Sequence, residues 1–252
     1  MGSALLQRKK VGGQKLRIVE VAAYWLFIIC FPLLLLTSTI RCAANSLHFY
    51  EYAFDRYGVS QVTKVERAQL SEVATRLIDY FSSGVDTPQI KVVDEAGEEF
   101  ELYHDYELVH LRDVKGLLQM DYQIQVASLA YVVSYSLLFL LWKKGPWQSL
   151  AKGITHGCAL ALALITLLGV ASIFGFEQLF VQFHLISFSN PYWMLDPSKD
   201  YLIMLFPEDF WRETAFLGGG AVAAEALFLG SLAWVVPFMQ KRRHCRVGLS
   251  QD

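Results

Sequence analysis

The chain has 252 residues, of which 54% are hydrophobic and only 18% charged, with a formal net charge of -2. Roughly a quarter of a soluble domain is charged, so the composition excludes an ordinary soluble domain. The net charge carries no signal, but the placement of the charges does. More than half of the basic residues fall in short segments flanking apolar blocks, where membrane topology accounts for them, which removes a nucleic-acid-binding reading.

Four apolar blocks, at 19–40, 124–142, 154–176 and 214–239, have about the twenty-residue length needed to cross a hydrocarbon core. The fold class expected is an α-helical polytopic membrane protein: four transmembrane helices in a single membrane domain, a small extracytoplasmic α+β segment and an interfacial aromatic segment. Arg8, Lys9, Lys10, Lys15 and Arg17 precede the first block, and Lys143, Lys144 and Lys152 lie between or beside the second and third. Lys241, Arg242, Arg243 and Arg246 follow the fourth. These hold over half of all Lys and Arg, and even-numbered crossing places them on one side. The positive-inside rule makes that side the cytoplasm. Both termini are then cytoplasmic, and 41–123 and 177–213 lie outside.

The first block has a basic start and is followed by Cys42-Ala43-Ala44. Its apolar run exceeds a signal-peptide core, so a retained helix is expected. Of Cys30, Cys42, Cys158 and Cys245, only Cys42 falls outside, which leaves no extracytoplasmic disulfide pair. Next comes the aromatic-rich run HFYEYAFDRYGVS, to which no element is assigned. In VERAQLSEVATRLIDYF, Leu70, Val73, Ala74, Leu77, Ile78 and Phe81 recur on a helical period. Ser82-Ser83-Gly84 and Pro88 end that helix. A short hairpin is expected around Glu95-Ala96-Gly97. A further helix begins near Asp105 and feeds the second membrane block. The third membrane helix is expected to run past the hydrocarbon edge. Beyond it, Pro191, Pro197 and Pro207 break an aromatic segment, which folds back as a lid or interfacial hairpin.

His156 and His244 fall on the cytoplasmic side and His48 in the aromatic run, leaving His104, His110 and His184 on the outer side. Helical spacing puts Asp113 on the same face as His110, where a carboxylate can orient the imidazole. His184 lies in an apolar, aromatic stretch, where an unsatisfied imidazole is costly. A histidine pair at the outer interface suits acyl transfer or lipid hydrolysis; a backbone-bonded structural histidine is the bland alternative for each. No G-x-S-x-G elbow or H-E-x-x-H motif occurs. The best metal set, His110, Asp113, His184 and Asp196, has no recognisable spacing. Glu177 lies near the third block's outer edge and Glu225 within the fourth, where a structural role is at least as fitting as a functional one.

Two islands carry a family resemblance: His110-Leu111-x-Asp113-Val114-Lys115, and Phe183-His184 followed by Trp193-Met194-Leu195-Asp196-Pro197, Asp200 to Ile203 and Phe206-Pro207-Glu208-x-Phe210. With four helices in this topology, the chain resembles the bacterial lipoprotein intramolecular transacylase family. That resemblance implies transfer of the sn-2 acyl chain of a diacylglyceryl-cysteine lipoprotein to its own α-amino group, giving the lyso-form, without cofactor or metal. It implies His184 and His110 as the essential acid–base pair, acting without an acyl-enzyme. His184 is the preferred base, with the reverse order open, and Asp113 orients His110. Arg112, Lys115, Tyr106 and backbone amides are candidate oxyanion donors. Phe183, Trp193 and Asp196 are candidates to line the substrate groove. Implied partners are a diacylated lipoprotein and membrane lipids at the outer leaflet of the bacterial cytoplasmic membrane, with no nucleic acid. A non-catalytic lipid- or lipoprotein-binding module, or a metal-dependent membrane hydrolase, are the alternatives.

Overall fold

The computed structural model describes residues 2–94, 96–142 and 146–248, and for 2–16 and 236–248 the backbone only. Glu95 of the expected hairpin turn and Lys143 and Lys144 lie outside the described residues. The side chains of the basic residues in 8–15 and 241–246, and of His244 and Cys245, lie outside them too.

In chain order the elements are α1 (Gly2–Ala44), α2 (Leu47–Arg56), α3 (Val59–Thr63), α4 (Arg67–Ser82), β1 (Lys91–Val93), β2 (Glu99–Glu101), α5 (Asp105–Leu137), a π-helical turn (Leu138–Trp142), α6 (Trp147–Ser187), α7 (Tyr201–Leu205) and α8 (Glu208–Gly248). Among the described residues, four helices are long and apolar enough to cross a membrane: Arg17–Ala44, Asp105–Trp142, Trp147–Ser187 and Glu208–Val235. The second and third extend well beyond their apolar blocks on the outer-segment side, to Asp105 and Ser187. The first nineteen residues of α5 carry Asp105, Glu107, Arg112, Asp113, Lys115 and Asp121, so its apolar part starts near Ile124. Large apolar side chains such as Val126, Leu167, Ile173, Phe228 and Trp234 are solvent-accessible along the four helices. That pattern fits lipid as the surrounding medium.

The chain divides into two compact units. The first comprises Met1–Leu36, Ile124–Ile165 and Val222–Asp252. Its core holds Phe27, Phe31, Leu35, Leu150, Cys158, Ala161, Val222 and Ala226. Gly153 and Gly157, one turn apart, let α6 approach α1 closely: a Cβ at Gly157 would lie 2.6 Å from Phe31 Cβ, and one at Gly153 3.0 Å from the Phe27 ring. Small residues at four-residue spacing serve membrane helix packing in this way, by letting backbones meet. The Tyr131 hydroxyl donates to the Ala23 carbonyl at 2.9 Å, a second tie within the unit.

The second unit comprises Thr37–Gln123 and Thr166–Ala221. The apolar stripe of α4 is buried at Leu70, Val73, Ala74, Leu77 and Phe81; Tyr80 joins it, and Ile78 sits at the margin. Around it lie Tyr50 and Phe54 of α2, Ile90, Val92, Leu102, Leu111 and α7 through Leu202 and Leu205. α2 and α3, in the aromatic run left unassigned from sequence, therefore belong to this core. Ser46 caps α2, its side chain accepting from the Phe49 N–H. β1 and β2 pair antiparallel with Val92 opposite Phe100, and the free edge of β1 is met by Gln69. Its amide accepts from the Val93 N–H at 2.6 Å and donates to the Val93 carbonyl at 3.0 Å. After α6 the chain turns through 188–200 before α7.

Candidate active site

The second unit brings together the two histidines singled out from sequence. His110 lies in the second turn of α5 and His184 in the last turn of α6, and both are buried. Their ring centroids are 5.9 Å apart. The cage around them is aromatic: Phe188 lies 4.9 Å edge-on from His110, while Phe180, at 4.3 Å, and Trp193, at 4.9 Å, face His184. Phe183 stands perpendicular to His184 at 5.4 Å.

The two imidazoles are held differently. His184 Nδ1 is 2.7 Å from the Phe180 carbonyl oxygen. A carbonyl only accepts, so Nδ1 carries the proton and Nε2 presents its lone pair. His110 Nδ1 is buried and finds no hydrogen-bond partner among the described residues. A polar atom left so inside a protein is a cost that a bound group would relieve.

Asp113, on the expected face of α5, does not bond His110. Its carboxylate takes a side-chain N–H from Asn190 at 2.7 Å, and the Asn190 side-chain oxygen Oδ1 accepts the Tyr192 N–H at 3.1 Å. The remaining sequence candidates are engaged elsewhere. Lys115 Nζ donates to the Val85 carbonyl at 2.5 Å and sits 4.2 Å above the Tyr80 ring. Arg112 reaches the Asp86 carbonyl at 3.4 Å. The Tyr106 hydroxyl donates to Asp200. Asp196 accepts from the N–H and hydroxyl of Ser198, which hold its carboxyl below the usual carboxylate range.

Sequence reading missed a second polar group. Glu107 is fully buried and Asp200 nearly so. Glu107 accepts from the Leu202 N–H at 2.8 Å and from both the backbone N–H and ring Nδ1 of His104, at 2.8 and 2.7 Å. Asp200 accepts from Tyr106 and from the Asp196 N–H at 2.7 Å. His104, Glu107 and Asp200 offer ligand atoms within 4.8 Å of one another, close enough for a metal ion. All four carboxylate oxygens nevertheless already have an internal donor. The signal was present in the sequence: Glu107 falls on the same helical face as His110, Leu111 and Val114, a carboxylate one turn before a candidate histidine on a face that is otherwise apolar.

A family model described as lipoprotein intramolecular transacylase Lit matches residues 25–211. No curated protein matches the chain. Among solved structures, the membrane integral lipoprotein intramolecular transacylase Lit from Bacillus cereus is 21% identical with a TM-score of 0.74, covering 90% of this chain and 98% of that one. Two variants of the same protein, with a histidine replaced by alanine or by arginine, are each 20% identical. Their TM-scores are 0.73 and 0.70, over 92% and 94% of this chain and 99% of theirs. At this identity the structural likeness establishes the shared fold.

Proposed function

The chain belongs to the lipoprotein intramolecular transacylase family, and from that membership we propose that it moves the sn-2 acyl chain of a diacylglyceryl-cysteine lipoprotein to the α-amino group of the same cysteine. The observation that carries this reading is the buried pair: two imidazoles in ring contact, one locked with Nε2 as acceptor and the other with an unsatisfied buried nitrogen.

The chemistry follows from what each ring offers. The amine nitrogen attacks the ester carbonyl carbon while His184 Nε2 accepts the proton that the nitrogen sheds. The bond from that carbon to the sn-2 glycerol oxygen then breaks, and the proton on His184 passes to the departing oxygen. An amide and a free sn-2 hydroxyl result, with no net proton change. His110 orients the ester: as a neutral imidazole it donates to the carbonyl oxygen while charge builds there. The aromatic cage suits neutral resting imidazoles, because a charged ring would lose hydration with no carboxylate hydrogen-bonded to it among the described residues. Donor and acceptor belong to one molecule, so much of the barrier is met by holding them in near-attack geometry.

We place 41–123 and 177–213 outside the cytoplasm and both termini inside, on the distribution of basic residues. The site then faces the outer leaflet. Phe183, Leu185, Ile186 and Met194, exposed beside the pair, offer apolar surface to acyl chains.

The product is an isomer of the substrate, which fixes the test. A synthetic diacylglyceryl-cysteinyl peptide is incubated with the purified protein in lipid vesicles and followed by tandem mass spectrometry. Transacylation leaves the intact mass unchanged and moves one acyl group onto N-terminal fragments. Loss of one fatty acyl group would show a hydrolase instead, and unchanged fragments would leave only a binding module.

A further inference from the structure

The segment 188–200 is fixed to α5 at two places, one on either side of His110. On one side Asn190 donates to Asp113, three residues after His110. On the other, Asp200 accepts from Tyr106, and the Leu202 N–H, just beyond the segment, donates to Glu107, three residues before His110. Between the two ties lies Trp193, whose ring is 4.9 Å from that of His184. We propose that Glu107 and Asp200 are positioning residues: with His104 and Tyr106 they latch segment 188–200 onto the first turns of α5, and so hold Trp193 against the His184 ring.

The energetics favour a latch over filler. The side chains of Glu107 and Asp200 are 0% and 2% exposed, and a buried carboxylate costs several kcal/mol unless it is paired and hydrogen-bonded. Here the pairing is complete. Three backbone N–H groups, one phenol and one imidazole satisfy four carboxylate oxygens, and His104 stacks flat on Tyr106 at 5.3 Å. An apolar substitute of the same volume would pack at this place but would not specify which turn of 188–200 meets which turn of α5. Register is the best-supported use of such a buried polar group.

This inference rests on reading His184 as the reacting base, and its test reports on the latch separately. The full-length protein, labelled with carbon-13 at the histidine ring, is observed by NMR in detergent micelles. The His184 signal is assigned by its loss in His184→Ala. Trp193→Leu marks where that signal falls without the indole ring current. Asp200→Asn and Glu107→Gln are expected to move the His184 signal toward the Trp193→Leu position and to lower the transfer rate at saturating substrate about ten- to a hundredfold. Should the buried variants fail to fold, Tyr106→Phe removes only the hydroxyl on Asp200 and is expected to move the signal in the same direction. A His184 signal that stays at its wild-type position overturns the latch, whatever the rate does. A moved signal together with full activity in His184→Ala would instead overturn the acid–base reading and leave the latch standing.

Discussion

Two imidazoles at ring contact in an aromatic cage have different tasks when one is tied to a backbone carbonyl and the other is not. The Phe180 carbonyl fixes the His184 tautomer, whereas the His110 Nδ1 waits for a partner. Asparagine at His110 is therefore expected to retain more activity than alanine, because its amide can still donate to the ester carbonyl. No such rescue is expected at His184, where a basic nitrogen is required. Initial rates of the four variants check both halves. The histidines could be singled out from the sequence because topology put them on one side and the family motifs flanked them. The partner of Asp113 could not. Helical spacing brought Asp113 near His110, but the Asn190 amide, 77 residues away, claims the carboxylate. Removing that partner leaves a part-buried carboxylate short of a donor, so Asn190→Ala is expected to cost about 1–3 kcal/mol, read from urea unfolding in micelles.

At the scale of elements, the long helices were legible because twenty apolar residues in a row have few other uses. α4 was legible because its stripe repeats on the helical period. α2 and α3 were not, since HFYEYAFDRYGVS has aromatic residues at nearly every turn position and shows no clean periodicity. They are helical because Tyr50, Phe54 and Val59 complete the core over α4, and tertiary packing decides where periodicity is mute. Leu77 is completely buried there, so Leu77→Ala is expected to destabilise by about 2–5 kcal/mol. Gln69 protects the open edge of the hairpin. With Gln69→Ala the Val93 amide is expected to exchange with solvent faster while the amides of α4 keep their protection, a contrast visible by hydrogen exchange. In α6, Gly157→Val is expected to prevent close approach to Phe31, lowering the melting temperature without altering the histidine pair's own contacts.

For the whole molecule, the distribution of basic residues gives an orientation that labelling can check. In a background with Cys42 and Cys245 replaced by serine, a cysteine at the exposed Asp94 is expected to react with a membrane-impermeant maleimide in intact cells. A cysteine at Lys152 is expected to react only after lysis. The reverse pattern would invert the topology and put the histidines on the wrong side for a lipoprotein substrate. The fold class could be read from the length and placement of four apolar blocks, whereas the clasp of Glu107 and Asp200 joins residues 93 positions apart and could not.

The central claim, that the chain is a transacylase working through its histidine pair, is tested most directly in a host that makes only diacyl lipoproteins. A reporter lipoprotein is purified and its N-terminal lipopeptide fragmented by mass spectrometry, with and without expression of this protein. The expected result is an unchanged lipopeptide mass with one acyl chain moved to the cysteine nitrogen, and no such movement with His184→Ala inserted in the membrane at equal level. An unmodified amine despite good membrane expression of the wild-type chain would contradict the function. An acylated amine in both His184→Ala and His110→Ala would contradict the site.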